Sequence, residues 1–413
     1  MYSARLCSLN SAGVPHCESD ALPYEQGVPS AKPEPEGGVR RSTSHLPALD
    51  GARGLAVLLV LLDHASDAGM QLFPGAEMNR AGKYGVYLFF VLSAFLLTSQ
   101  FSTWRSEQFG QARMWLNYGV RRFFRIFPAY TAVLIAYVLM KKLQVNELIP
   151  HLLLQDGKGQ FWTIPVECKY YLILPFIAVA LFWAGRKNWL LGVLAGAVAG
   201  VATVGLLELE RRWSLHSYVL LAKYLAPFLM GSALALAYAA FKREPRRQQQ
   251  WAWWLECAAW AALAVIATRL PAMNDALFST RPSFGKEFDP MICGALWSIF
   301  LLGVLQGKGF LAALMRWHPL RYLGVISFSV YLWHKKFLND VDDFPAASPI
   351  RLAVYVGLVA VVSTASYWLL ERPFRRVRWP SGTQAAERPV VTDSEACGFA
   401  VLRTDVVVEK TPT

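Results

Sequence analysis

The stretch LDGARGLAVLLVLLDHA, residues 49–65, is apolar along nearly its whole length, yet it carries Arg53 near its start and His64 near its end. A membrane helix needs about 20 predominantly apolar residues, and this segment with its flanks meets that length. Arg53 and His64 are eleven positions apart. At about 100° per residue that separation is three turns plus roughly 20°, so both side chains fall on one helix face. At about 1.5 Å rise per residue they lie roughly 16 Å apart along the axis, about half the thickness of a bilayer core. A cation and an imidazole on one stripe of a membrane helix are costly, and such residues mark functional sites. The alternative is that each snorkels to its nearer interface as an anchor.

The rest of the chain has the same character. Of 413 residues, 54% are hydrophobic and only 17% charged, and the mean hydropathy is positive, which excludes an ordinary soluble domain. Fifteen tryptophans fit a membrane protein, because indoles favour the interface. The net charge of +12 calls for no nucleic-acid partner. Cytoplasmic loops of membrane proteins collect Lys and Arg, and the anionic leaflet attracts them. Six cysteines are scattered without metal-ligand or framework spacing, so neither a metal site nor a structural disulfide is expected.

Residues 1–45 are rich in Pro, Gly, Ser and Glu and read as a disordered N-terminal tail. The tail lacks the basic start and apolar stretch of a signal peptide, so the first membrane helix is expected to direct insertion. Residues 46–379 form the transmembrane domain, and 380–413 a polar C-terminal tail. The domain holds about ten candidate spans on the length criterion. They run near 48–68, 84–101, 124–141, 163–184, 188–207, 218–241, 251–270, 289–306, 321–339 and 350–370. The span at 251–270 has little polarity and is expected to face lipid. The stretch 104–120 mixes Trp, Arg and Leu and reads as an interfacial helix ahead of the third span. The expected fold is therefore an all-α polytopic membrane protein.

Basic residues cluster in alternate loops: Arg40 and Arg41, Arg105 to Arg125, Arg186 and Lys187, Lys242 to Arg247, Lys308 to Arg321, and Arg372 to Arg378. With ten spans these loops share one side, which the positive-inside rule makes cytoplasmic. Both termini are then inside, and the cell (inner) membrane is the expected location. On that orientation Arg53, Arg122 and Arg125 lie near the cytoplasmic face, and His64, Glu167 and His334 toward the outer face.

Six short motifs occur in order. They are LDGARGLAVLLVLLDH (49–64), GVYLFFVLSAFLLT (85–98), RRFFRIFPAY (121–130), FWTIPVECKYYLILP (161–175), ISFSVYLWH (326–334) and LLERPFRR (369–376). Together they resemble the acyltransferase-3 family of integral-membrane acyltransferases, which includes O-acetylases of bacterial surface polysaccharides. The resemblance covers roughly residues 46–378. It places the family's Arg-to-His signature on Arg53 and His64, its Arg pair on Arg122 and Arg125, and its Trp-to-Glu segment on Trp162, Glu167 and Tyr171. Tyr331 and His334 fall in the family's Ser-x-Ser-x-Tyr-Leu-x-His motif. Tyr87 and Ala94 depart from the family's usual Asp and Gly, and are expected to reshape a substrate groove. No esterase-like domain follows the membrane part in this sequence, so the chain is expected to act alone or with partners.

The resemblance implies an acyl-CoA-dependent O-acyltransferase with no bound cofactor, the donor substrate being acyl-CoA, with acetyl-CoA expected. Acyl transfer from a thioester to a hydroxyl needs a base for the alcohol proton and stabilisation of the tetrahedral oxyanion. An imidazole titrates near neutral pH, so His64 suits the base. Glu167 is expected to orient His64, to stabilise its charged form, or to hold a sugar hydroxyl. Arg53, Arg122 and Arg125 suit the donor's phosphates, because guanidinium forks bind phosphate oxygens in pairs. Positive-inside anchoring is their alternative. His334, Tyr331, Trp162 and Tyr171 are placed on the acceptor side, with interface anchoring the alternative for Trp162 and a buried hydrogen-bonded pair for His334 and Tyr331. Asp63 reads as a solvated helix end. Ser93 and Cys168 are candidate nucleophiles, but neither has a base nearby in sequence, so an acyl-enzyme is not favoured and the sequence leaves direct transfer and an acyl-enzyme route both open. The acceptor would be a carbohydrate or glycolipid of the envelope, or a secreted small molecule. The rival class is a transporter, because intramembrane Arg, His and Glu also build ion paths.

Overall fold

The computed structural model describes residues 46–377 apart from 72, 74–76, 102–109, 186–187, 213–220, 271–272, 274–288, 307–308 and 343–344. The two expected tails, 1–45 and 380–413, lie outside the described residues. All regular elements among the described residues are helical, in agreement with the expected all-α class.

The chain runs through α1 (Pro47–Asp67), α2 (Ala81–Phe101), α3 (Ala112–Leu139), α4 (Val145–Leu152), α5 (Thr163–Ala184), α6 (Trp189–Arg212) and α7 (Leu225–Arg243). It continues through α8 (Pro245–Ala267), α9 (Asp289–Gln306), α10 (Phe310–Met315), α11 (His318–Val325), α12 (Ser327–Trp333), α13 (Leu338–Asp342) and α14 (Ser348–Ser366). Short 3₁₀ turns precede α5 and α7, and a π-helical turn, Tyr367–Glu371, extends α14. Six segments are long and apolar enough to cross a membrane: 81–101, 112–139, 159–184, 221–243, 289–306 and 348–371. They coincide with six of the expected spans. Three further expected spans are also long helices: α1 with 21 residues, α6 with 24 and α8 with 23.

The segment 321–339 differs from expectation. It is not one span but α11 and α12, broken at Ile326, where φ is −92° and ψ 4°. Gly324 and the β-branched Val325 and Ile326 are poor helix formers in a row, which weakens the helix at that point. The expected interfacial stretch 104–120, of which 104–109 lie outside the described residues, also differs. From Ala112 on it is no separate interfacial helix but the first turns of the unbroken 28-residue α3. At 1.5 Å per residue α3 is about 42 Å long, so it exceeds a bilayer core of about 30 Å, and its arginine-bearing start projects beyond the apolar part.

The core forms where α1 packs on α2 and α11, α2 on α7, and α9 on α7 and α8. At Gly324 a Cβ atom would lie 1.7 Å from the carbonyl oxygen of Asp50, so only glycine lets α11 approach α1 this closely. On α8, Trp251, Trp253, Trp254 and Trp260 are exposed while Ala259 and Ala262 are buried, as a lipid-facing helix requires.

The turn into α5 is held by a histidine that sequence reading passed over. His151 is fully buried at the end of α4. Its Nδ1 donates to the Glu147 carbonyl at 2.8 Å, and its Nε2 accepts from the Lys158 backbone N–H at 3.3 Å. The Lys158 ammonium also pairs with the Glu147 carboxylate. This latch sets the start of α5, the helix that carries Glu167.

Candidate active site

A cavity of about 630 Å³, counting the solvent space at its mouth, opens among α1, α2, α3, α5 and α12. Arg53, Arg125, Glu167 and Tyr331, four of the expected site residues, line it, together with Ser93, Thr163 and Ser327. Its apolar wall includes Phe89, Phe90 and Phe328. The polar lining comes from five helices, which is why no single motif shows it.

Glu167 sits one turn inside α5. Its Oε1 accepts a hydrogen bond from Ser93 Oγ on α2 at 2.7 Å, and another from the Tyr171 hydroxyl one turn further along its own helix. Tyr171 is in turn fixed by Tyr118, whose hydroxyl donates to the Tyr171 carbonyl at 2.9 Å. Arg122 stands behind this group rather than in the cavity lining. Its guanidinium carbon is 5.9 Å from the ring centres of both Tyr118 and Tyr171, a cation–π arrangement that accommodates a partly buried arginine. The expected triad of arginines is thus split: Arg53 and Arg125 face the cavity, and Arg122 braces the tyrosines.

His64 does not line this cavity. Its ring stacks on that of His334, with centroids 5.1 Å apart and planes 20° apart. His334 is fully buried. Its Nδ1 lies 2.7 Å from the Tyr331 carbonyl oxygen, and a carbonyl only accepts, so Nδ1 carries the proton. The Nε2 lone pair has no hydrogen-bond partner among the described residues. The Tyr331 ring is 5.5 Å from that of His334. Tyr331 therefore joins the two groups, since it packs on the histidine pair and also lines the cavity.

Several expectations are corrected by this geometry. The carboxylate beside His64 is Asp67, 3.7 Å from Nδ1, while Glu167 meets Ser93 and Tyr171 instead. Glu167, a full turn within α5, therefore lines one cavity with Arg53 and Arg125, whereas His64 is paired with His334. Asp63 is no solvated helix end: it is 8% exposed, under the backbone N–H groups of Arg80 and Gly82. Asp63, His64 and Asp67 each offer a ligand atom within 4.8 Å of the others. Trp162 contacts Phe90 and Tyr224 rather than the cavity. Tyr87 and Ala94 do not line the cavity either. Ala94 faces Gly231 on α7, where a Cβ atom would come within 2.9 Å of the Ala94 methyl.

Thr163 and Ser327 were missed, although helical spacing points to both. Thr163 is four residues before Glu167, and Ser327 four before Tyr331, so each shares a face with a recognised site residue. The contact of Ser93 with Glu167 spans 74 positions and two helices, and no local signal announces it.

A helical bundle with several membrane-crossing segments, enclosing a cavity of arginines, hydroxyls and a carboxylate, defines a multi-pass integral-membrane enzyme. The comparisons give the class a family: residues 46–371 match the acyltransferase-3 family, described as an acyltransferase domain, and the chain belongs to it. It is 24% identical over 381 residues to the peptidoglycan O-acetyltransferase OatA of Listeria monocytogenes, covering 82% of this chain and 57% of that protein. It is 23% identical over 382 residues to YrhL of Bacillus subtilis, a candidate peptidoglycan O-acetyltransferase, covering 80% of this chain and 55% of the relative. A candidate O-acetyltransferase of Staphylococcus aureus is 21% identical over 363 residues, with 80% and 58% covered. The chain thus spans less than two thirds of the length of these relatives. No solved structure matches. Neither the fold nor the comparisons favour the transporter.

Proposed function

We propose that this protein moves an acyl group, acetyl being expected, from acyl-CoA to a hydroxyl of an envelope glycan, a glycolipid or a secreted small molecule. The observation that carries the reading is the shared cavity of Arg53, Arg125 and Glu167 in a membrane bundle of the acyltransferase-3 family. Two guanidinium groups suit the donor's phosphates, and Arg122 holds the tyrosines that position the carboxylate. His64 takes the acceptor's proton, with His334 stacked against it. Tyr331, which lines the cavity and packs on His334, shapes the acceptor side. The relatives' names support a cell-wall polysaccharide as one acceptor class. The positive-inside distribution supports a cell-membrane location with the arginine side and both termini cytoplasmic.

The test compares cells expressing wild-type or His64→Ala protein at matched levels, with mass spectrometry of envelope glycans, lipids and secreted metabolites. An ester-sized mass difference present only with wild-type protein is expected, and it names acceptor and acyl group together. Equal esterification by both proteins would remove His64 as the base. Thioester consumption by the purified protein in detergent separates an enzyme from a transporter, because detergent leaves no compartments.

A further inference from the structure

We propose that Ser93 carries the acyl group as a serine ester between donor and acceptor, with Glu167 as its base. The inference rests on the acyl-transfer reading above and adds a covalent step to it. Sequence alone offers Ser93 no base, but the fold supplies one from another helix: Ser93 Oγ lies 2.7 Å from Glu167 Oε1. Both side chains line the cavity that Arg53 and Arg125 also line. A hydroxyl becomes a useful nucleophile when a base sits within hydrogen-bond reach and a third group orients that base. Tyr171 supplies the third group by donating to the same carboxylate oxygen. Cys168, the other candidate nucleophile, does not line the cavity.

A second observation points the same way. The acceptor's base, His64, is paired with His334 and lies outside the cavity lining, whereas Arg53 and Arg125 lie within it. Ser93 shares the cavity with the arginines, and Tyr331 connects that cavity to the histidine pair, so a residue that holds the acyl group allows the two substrates to act in turn. Ser93 Oγ attacks the thioester carbonyl carbon and its proton passes to Glu167. The C–S bond breaks, and CoA leaves as a thiolate that takes its proton from water. The acceptor hydroxyl then attacks the serine ester carbonyl and gives its proton to His64. The C–Oγ bond breaks, Glu167 returns its proton to Ser93, and His64 releases one proton to water. One acyl group has moved from sulfur to oxygen, and every proton is accounted for. Tyr331, which lines the cavity and packs on His334, is placed to donate to the oxyanion.

The test uses the full-length protein in detergent with acetyl-CoA carrying a labelled acetyl group, quenched with acid within the first turnover and mapped by peptide mass spectrometry. The expected result is an acetyl increment on Ser93, with a burst of about one CoA per protein before steady release. Ser93→Ala is expected to lose label and burst and to lower ester formation in cells on the order of a hundredfold or more. Ser93→Cys, which keeps a nucleophile, is expected to take label as a thioester. Wild-type protein that forms ester product in cells but carries no acetyl on Ser93 would overturn the serine ester while leaving acyl transfer intact. The absence of label, CoA release and ester product together would overturn the acyl-transfer reading, and the serine ester with it.

Discussion

The rings of His64 and His334, from the first helix and from the segment after α12, lie 5.1 Å apart and nearly parallel. The two imidazoles of this pair differ in their surroundings. His334 is locked as the Nδ1–H tautomer by the Tyr331 carbonyl, and His64 is more exposed, its side chain retaining 25% accessibility. Loss of a positioned base costs about 10²- to 10⁴-fold in rate. His64→Ala is expected to lower acyl transfer within that range without a change in the melting temperature. His334→Ala is expected to lower both, because it also opens a buried site. Parallel activity and thermal-shift measurements check the contrast.

Arg53 and Arg125 are expected to act on donor binding. Charge-assisted hydrogen bonds contribute about 1.5–3 kcal/mol, so Arg53→Gln or Arg125→Gln should raise KM for acyl-CoA by about ten- to a hundredfold. Arg122, which lies against Tyr118 and Tyr171, should instead lower kcat by disturbing Glu167. A kinetic series in acyl-CoA concentration distinguishes the two patterns, and equal KM effects from all three arginines would contradict the split.

Tyr171→Phe removes one hydrogen bond to Glu167 and keeps the ring under Arg122. A net hydrogen bond of about 1 kcal/mol corresponds to roughly a fivefold loss of rate. Glu167→Gln keeps the shape but removes the base, and is expected to cost on the order of a hundredfold or more. The same assay ranks the two variants.

Gly324→Ala places a methyl group where the Asp50 carbonyl already sits. Forcing extra volume into a packed contact costs about 1–3 kcal/mol. A lower melting temperature in detergent is expected, with activity falling further than stability, because α1 carries Arg53 and His64.

The α4 latch has a pH signature. The Lys158 ammonium, aided by the Gln144 backbone N–H, holds the Glu147 carboxyl below the ordinary glutamate range. A carboxyl lowered in the folded state stabilises above its unfolded pKa, and that stabilisation disappears as the pH falls through the folded value. The difference in melting temperature between wild type and Glu147→Gln should be flat across the neutral range and shrink in acid. A difference that grows in acid would contradict the assignment.

Much of the fold was legible because membrane helices are written in runs of apolar residues. Six expected spans match membrane-length helices, and the Arg53–His64 stripe of α1 is continuous. The break at Ile326 was not legible, since an apolar run looks the same whether it forms one helix or two. The site was legible as a set of residues and illegible as an arrangement. Arg53, Arg125, Glu167 and Tyr331 do meet at one cavity. That Glu167 turns to Ser93 and not to His64 depends on how α2 and α5 pack, and no periodicity encodes it. The Ala94 departure has the same lesson: its methyl group fits because Gly231 on the facing helix has none.

The broken segment bears on how the protein is made. α11 and α12 contain 8 and 7 residues, so at 1.5 Å per residue neither exceeds about 12 Å, far short of a bilayer core of about 30 Å. Such pieces cannot leave the translocon as independent spans, because their backbone ends need partners inside the membrane. They must dock on α1, which precedes them in the chain and packs against α11. His334 then reaches His64 only once the segment that follows α12 has been synthesised. The pairing of His64 with His334 is thus completed only after α11 and α12 have been made, and a chain truncated before them is expected to insert without that pair.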